Sequence, residues 1–135
     1  NKDCHVVLRG SSTGPNYDSQ SVRQTLDELS RLEVPGACRN GVVIDAAHGN
    51  CGKDEVREAH VVEEIAERLA EGEHGILGIM MESFLEGGCQ DPGPLDSLVY
   101  GCSITGPCVP WDRTQELLRV LADAVARRRS LEASR

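Results

Sequence analysis

Short apolar runs alternate with loops and helical stripes along this chain about every 33 to 37 residues, and no other feature constrains the fold as strongly. A strand, a loop and a helix in repetition build parallel sheets, because a parallel neighbour is reached only through a long crossover, usually helical. The runs at residues 5–8 (HVVL), 42–45 (VVID), 76–81 (ILGIMM) and 99–104 read as four strands. The third is apolar on both sides of its alternation, which predicts a strand covered on both faces. Between 19 and 33, Val22, Leu26, Leu29 and Leu32 recur at helical spacing, and Pro35-Gly36 supplies the stop. A second stripe runs through Val56, Val62, Ile65 and Leu69 and ends before Gly72. Residues 83–97 are rich in Gly and Pro without helical period, so a long loop or a short irregular helix is expected there. Asp112 with Gln115 reads as a capping box, Leu117, Leu118, Leu121 and Val125 as the stripe of the last helix, and the end as a frayed polar tail. Four such βα units amount to half of a (β/α)8 barrel, for which about 250 residues is typical. Residues 1–135 are therefore expected to form a single α/β half-barrel domain. Its open parallel edges imply a homodimer or a complementary half-barrel partner, or a place in something longer.

Composition narrows the partners. Hydrophobic residues at 39% and charged ones at 27% suit an ordered globular chain. Fourteen Lys and Arg against 22 Asp and Glu leave a net charge of −8, which repels phosphodiester backbones. One Trp, two Tyr and one Phe are too few for base-stacking platforms, so no nucleic-acid partner is expected. The basic run Arg127 to Arg129 reads as a solvated last helical turn. No apolar run approaches the roughly 18 residues of a membrane span, so no membrane partner is expected. The opening NKDCHVVLRG lacks the layout of a signal peptide, which points to the cytoplasm, and the start at Asn1 leaves room for an upstream cut. The six cysteines are expected as free thiols, and the absence of CxxC argues against a zinc knuckle.

Ligands of α/β sheets and barrels bind at the carboxyl ends of the strands, so the residues just after each apolar run are the candidates. They are Arg9, Asp45 with His48 close behind, Glu82, and the Ser103-Ile104-Thr105 segment. A His and a Glu converging there can hold a divalent metal, and an Arg can grip a phosphate or carboxylate with its planar fork. Together they suggest a phosphorylated or carboxylated small molecule. A plainer reading stays open: Arg9 pairs with Asp45 or Glu82 as a structural ion pair, and His48 caps a helix. Cys51, three residues after His48, is a weaker candidate nucleophile. His60 and His74 read as surface residues, and no GxGxxG or P-loop pattern occurs.

The segments NKDCHVVLRG and GPNYD, then VVIDAAHGNCGK, IMMESFLEGGCQ and YGCSITGPCVPWDRTQELLRVLADAVARRR, follow one another along nearly the whole chain. In that order they resemble the carboxyl-terminal half of type I 3-deoxy-7-phosphoheptulonate (DAHP) synthases. The resemblance implies strands five to eight of a (β/α)8 barrel. It also implies condensation of phosphoenolpyruvate with erythrose 4-phosphate, using a divalent metal such as Mn2+, at the entry to aromatic amino-acid biosynthesis. By position, Arg9 matches an arginine that binds phosphoenolpyruvate, and His48 matches the metal-ligand histidine of DxSHxNSxK, placed to serve substrate binding and catalysis. Glu82 matches the metal-ligand glutamate of ExHLxEGxQ, and Lys53 is a weaker electrostatic candidate.

The departures are specific. SITDACIGW reads SITGPCVPW, so Gly106 stands where the family has an aspartate ligand. Phe84 replaces the histidine of ExHL, and Cys102 the lysine of YGKS. Completing a His48–Glu82 pair then falls to Cys108, Cys102, Asp45 or a second chain. Three expectations follow: a DAHP synthase-like enzyme, a non-catalytic phospho-ligand-binding or regulatory homologue that keeps Arg9, or an altered aldolase-like enzyme of a specialised aromatic pathway.

Overall fold

The computed structural model describes residues 4–32 and 41–134. Along them run β1 (Val6–Leu8), α1 (Ser19–Arg31), β2 (Val42–Asp45), α2 (His48–Cys51), α3 (Glu55–Ala70) and β3 (Ile76–Met80). β4 (Ser83–Phe84), a 3-10 turn (Leu95–Ser97), β5 (Val109–Pro110) and α4 (Trp111–Ala133) complete the order. β1, β2 and β3 form a parallel sheet in that sequence, with Leu8 opposite Ile44 and Asp45 opposite Met80. β4 and β5 form a separate parallel pair, Ser83 opposite Val109. The architecture is thus α/β with parallel sheets, as the period of the sequence implies. Among the described residues no helix is long and apolar enough to cross a membrane.

Two aspartates start the longer helices that follow β1 and β2. Asp18 accepts the Gln20 and Ser21 N–H groups at 2.9 Å, and Asp54 those of Val56 and Arg57 at 2.9 and 3.0 Å. Each satisfies amide donors that the first helical turn leaves without a partner. The core forms around β2, whose Val42 and Ile44 are fully buried against Val22 of α1 and Val62 and Ile65 of α3. α4 packs along α3 and buries Leu117.

Several expectations are corrected. The α3 stripe is phased differently: Val56 is 61% exposed, and its place on the buried face is taken by Glu58, in step with Val62, Ile65 and Leu69. Leu32 lies past the end of α1 and is exposed. The stop at Pro35-Gly36 and Cys38 lie outside the described residues. Residues 99–104 are not a strand. The Gln90 side chain donates to the Val99 and Cys102 carbonyls at 2.9 and 3.0 Å and accepts the Val99 N–H at 2.9 Å, and the pairing of this segment is reduced to an isolated parallel bridge of Ser103 with Cys89. Gly101, at φ 82, also turns the backbone out of the extended region. The final β segment is instead Val109–Pro110. Asp112 is no cap: α4 begins at Trp111 behind Pro110, and Asp112 lies in its first turn, accepting the Arg113 N–H at 2.8 Å. The helix then continues to Ala133, where a frayed tail was expected. β3 is covered incompletely: Leu77 is 53% exposed and Ile79 half-buried, and both line an open groove with Leu118, Leu121 and Val125 of α4.

At the start of α4 the Thr114 hydroxyl donates to the Pro110 carbonyl at 3.1 Å and therefore accepts from Ser83 Oγ at 2.6 Å. Thr114→Val keeps the shape and removes both bonds, so urea denaturation should show a loss of about 1 kcal/mol.

Candidate functional site

The carboxyl ends of β1 and β2 are locked together before any ligand is considered. Asn50, buried, donates to the Leu8 and Asp45 carbonyls at 3.0 and 2.7 Å and accepts the Asn16 N–H at 2.8 Å. Asn16 in turn accepts the Gly10 N–H at 2.7 Å. The Gly49 N–H donates to the Arg9 carbonyl at 3.1 Å. The two backbones approach so closely that a Cβ on Gly10, whose φ is 76, would sit 2.4 Å from the Gly49 carbonyl carbon. Only glycine fits such an approach.

On this frame Asp45, 2% exposed, spends both carboxyl oxygens locally. Oδ1 accepts the Ala47 N–H at 2.9 Å, and Oδ2 meets His48 Nδ1 at 2.9 Å. A carboxylate only accepts, so Nδ1 carries the proton and Nε2 of a neutral ring presents its lone pair. His48 itself sits at φ 49, a left-handed conformation that a non-glycine residue holds only where its surroundings fix it. It does not cap α2, whose cap position is Ala47. Across the cavity, Nε2 lies 3.4 Å from Glu82 Oε1. An unprotonated nitrogen facing a carboxylate oxygen is unfavourable unless a proton or a cation lies between them.

Arg9 is 60% exposed, with Nε 3.8 Å from Asp45 Oδ2. That is too long for a hydrogen bond, so most of the guanidinium fork is available to a ligand. Arg9, Lys53 and His48 line a recess of about 520 Å3 together with Gly10, Ser11 and Gly49. His48 and Lys53 also line a cavity of about 290 Å3 with Cys51, Glu58, Glu82 and Gly106. The structure therefore brings Arg9, His48, Lys53 and Glu82 to one sheet end. A larger apolar recess of about 620 Å3 lies to one side and holds Phe84, Tyr100, Cys102 and Cys108, so these residues face different surroundings from His48.

Glu58 joins this site although its sequence position had suggested no role. It is 1% exposed, and its Oε1 accepts the Glu82 N–H at 2.6 Å. Burial pushes its carboxyl up to about 7; the bond from the Glu82 N–H opposes that rise, and the charges of Glu82, Asp45 and Glu55 add to it. The available signal was its spacing, since residues 58, 62, 65 and 69 share one helix face. Cys51 is buried, donates weakly to the His48 carbonyl at 3.8 Å, and has its thiol pushed up by burial. That is the opposite of an activated nucleophile. Among the described residues Cys51, Cys89, Cys102 and Cys108 are free thiols.

The fit to a divalent ion is partial. Ligand atoms on neighbouring corners of a metal sphere with bonds of about 2.1 Å lie about 3.0–3.4 Å apart, and the separation of Nε2 and Oε1 matches this. The Asp45 bond to Nδ1 is the support that metal-bound histidines usually have. A third protein donor is missing: among the described residues no three His, Cys, Asp or Glu side chains are grouped to hold a metal ion. Gly106, whose added Cβ would lie 3.4 Å from Glu82 Oε2, leaves that side of the pair open.

Comparison with known proteins follows the same outline. Residues 1–119 match the DAHP synthetase I family. The phospho-2-dehydro-3-deoxyheptonate aldolase of Corynebacterium glutamicum is 42% identical over 137 residues, covering 96% of this chain and 36% of that protein. The tyrosine-inhibited enzyme of the same name from Schizosaccharomyces pombe is 39% identical over 138 residues, covering 99% and 36%. The solved structure of the Francisella tularensis phospho-2-dehydro-3-deoxyheptonate aldolase superposes with a TM-score of 0.86 at 35% identity, over 95% of this chain and 36% of that one. The chain thus spans little more than a third of the length of these relatives. With four strand-end motifs in order and matches of this extent in sequence and in fold, the chain belongs to the DAHP synthetase I family.

Proposed function

We propose that the chain forms strands five to eight of a (β/α)8 barrel, with residues 1–135 as one half-barrel domain. A complementary half-barrel or a second copy of the chain supplies the other strands. The incompletely covered β3, with Leu77 exposed, supports this reading, because a closed barrel buries such a face. The activity proposed is DAHP synthase-like, in the cytoplasm and in the shikimate or a related aromatic pathway. C3 of phosphoenolpyruvate bonds to the aldehyde carbon of erythrose 4-phosphate, water adds its oxygen at C2, and inorganic phosphate leaves.

The observation that carries the proposal is the His48 ring, held by Asp45 and facing Glu82, beside an exposed Arg9 at the ends of adjacent parallel strands. Arg9 grips an anionic group of phosphoenolpyruvate, and Lys53 adds positive charge to the same recess. His48 and Glu82 are the two protein donors for a divalent ion, Mn2+ or similar. When bound, that ion polarises the aldehyde carbonyl. The open side at Gly106 favours a second reading, in which the chain binds phosphorylated ligands without turning them over.

Turnover of phosphoenolpyruvate with erythrose 4-phosphate and Mn2+, at high protein concentration and with a chelator control, separates the two. Chelator-sensitive phosphate release supports the enzyme. Phosphoenolpyruvate binding without turnover, unaffected by chelator, selects the binding protein. In either case Arg9→Ala should weaken phosphoenolpyruvate binding by about tenfold, the size of a charge-assisted hydrogen bond. Unchanged affinity in a calorimetric titration removes Arg9 from the site.

A further inference from the structure

Glu82 lies two residues past the end of β3, beyond the last sheet bond from the Ala46 N–H to the Met80 carbonyl at 2.9 Å. Its backbone is held by other elements. The Glu82 carbonyl accepts the Val109 N–H of β5 at 2.9 Å, and the Glu82 N–H donates to Glu58 Oε1 of α3 at 2.6 Å. Val109 is fully buried, and Glu58 is nearly so. Glu58 occupies a place on the α3 stripe that packing alone would give to Leu or Ile, and its side chain reaches the wall of the cavity that holds His48 and Glu82.

We propose that Glu58 is a positioning residue of this site, fixing through the Glu82 N–H the strand end from which the Glu82 carboxylate meets His48 Nε2. The inference rests on the reading of His48 and Glu82 as donors to a divalent ion. Outer partners of metal ligands act in this way, orienting a donor that they do not replace. The requirement is a side-chain oxygen at this reach. Glutamine supplies one and leucine does not, which separates positioning from simple filling of the helix face.

The test uses the intact protein with Glu58→Gln and Glu58→Leu, and two readouts. The first is Mn2+ affinity, from the free-ion signal in electron paramagnetic resonance. The second is the Glu82 amide and the His48 ring nitrogens in metal-free NMR spectra. Glu58→Leu should weaken Mn2+ binding by about 10–100-fold. It should also move the Glu82 amide upfield and shift the His48 ring signals, whereas Glu58→Gln stays close to wild type in both. A purely structural role for Glu58 would leave the His48 ring signals in place. The inference is overturned if a folded Glu58→Leu matches wild type, or if Glu58→Gln is as damaged as Glu58→Leu. Should Glu58→Leu fail to fold, Glu58→Met takes its place with the same criteria. If wild type itself fails to bind Mn2+, the metal reading falls, and the metal-free spectra decide the role of Glu58 by themselves.

Discussion

Gly106→Asp is expected to strengthen Mn2+ binding by more than about tenfold, since a new ligand should exceed the smallest effect of an outer partner. The position is prepared for it. A Cβ at Gly106 meets Glu82 Oε2 at 3.4 Å, an ordinary contact, and Gly106 is not among the glycines with positive φ. An aspartate there adds a carboxylate beside Glu82 and His48. Without metal the two like charges repel, so the melting temperature should fall. With saturating Mn2+ it should rise above wild type, because the cation binds only the folded arrangement. Calorimetric titration and paired melting curves read both effects, and Glu82→Ala in the same background should remove the gain. An affinity no better than that of wild type means that Gly106 does not face the His48–Glu82 pair in solution.

The second large effect follows from Glu58. Its folded-state pKa of about 7 lies above the ordinary value of 4.5, so the folded chain holds this proton more tightly than the unfolded chain does. The stability contributed by the neutral carboxyl is fully present below about pH 4.5 and is lost as pH rises through 7; the shift corresponds to a quantity on the order of 3 kcal/mol. Glu73 works in another window. Burial raises it, but the bonds from Arg68 and Ser19 outweigh this and hold its carboxyl below the usual range. Its contribution is therefore present above the ordinary carboxylate pKa and is lost as pH falls. Glu58→Gln keeps the acceptor and removes the proton, so urea denaturation from pH 5 to 8 should show a flatter stability curve, crossing above wild type at the alkaline end. Parallel curves for the two proteins would show that Glu58 does not titrate in this range.

The parallel α/β architecture was legible because the period of apolar runs is a property of the chain itself. Arg9 and Glu82 stood out because each directly follows such a run, and His48 because it lies close behind another. Residues 99–104 misled because their apolar composition resembles a strand, while the Gln90 side chain takes the Val99 and Cys102 backbone groups and leaves an isolated bridge at Ser103. β5 is only two residues long and carries no period. Glu58 was passed over because a charged residue reads as surface, although its step to Val62 and Ile65 places it on the buried face. Asn50 left no local trace, since its partner Leu8 is 42 residues away in sequence and the contact exists only after β1 and β2 have paired.

The glycine contact between the first two strand-end loops joins the fates of two groups that chemistry would treat separately. Because the Gly49 amide is bonded to the Arg9 carbonyl and there is no room for even a methyl group between Gly10 and Gly49, the two loops cannot slide independently. Any shift of the Arg9 backbone is therefore carried to the peptide that follows His48, so the two strand-end loops move as one unit.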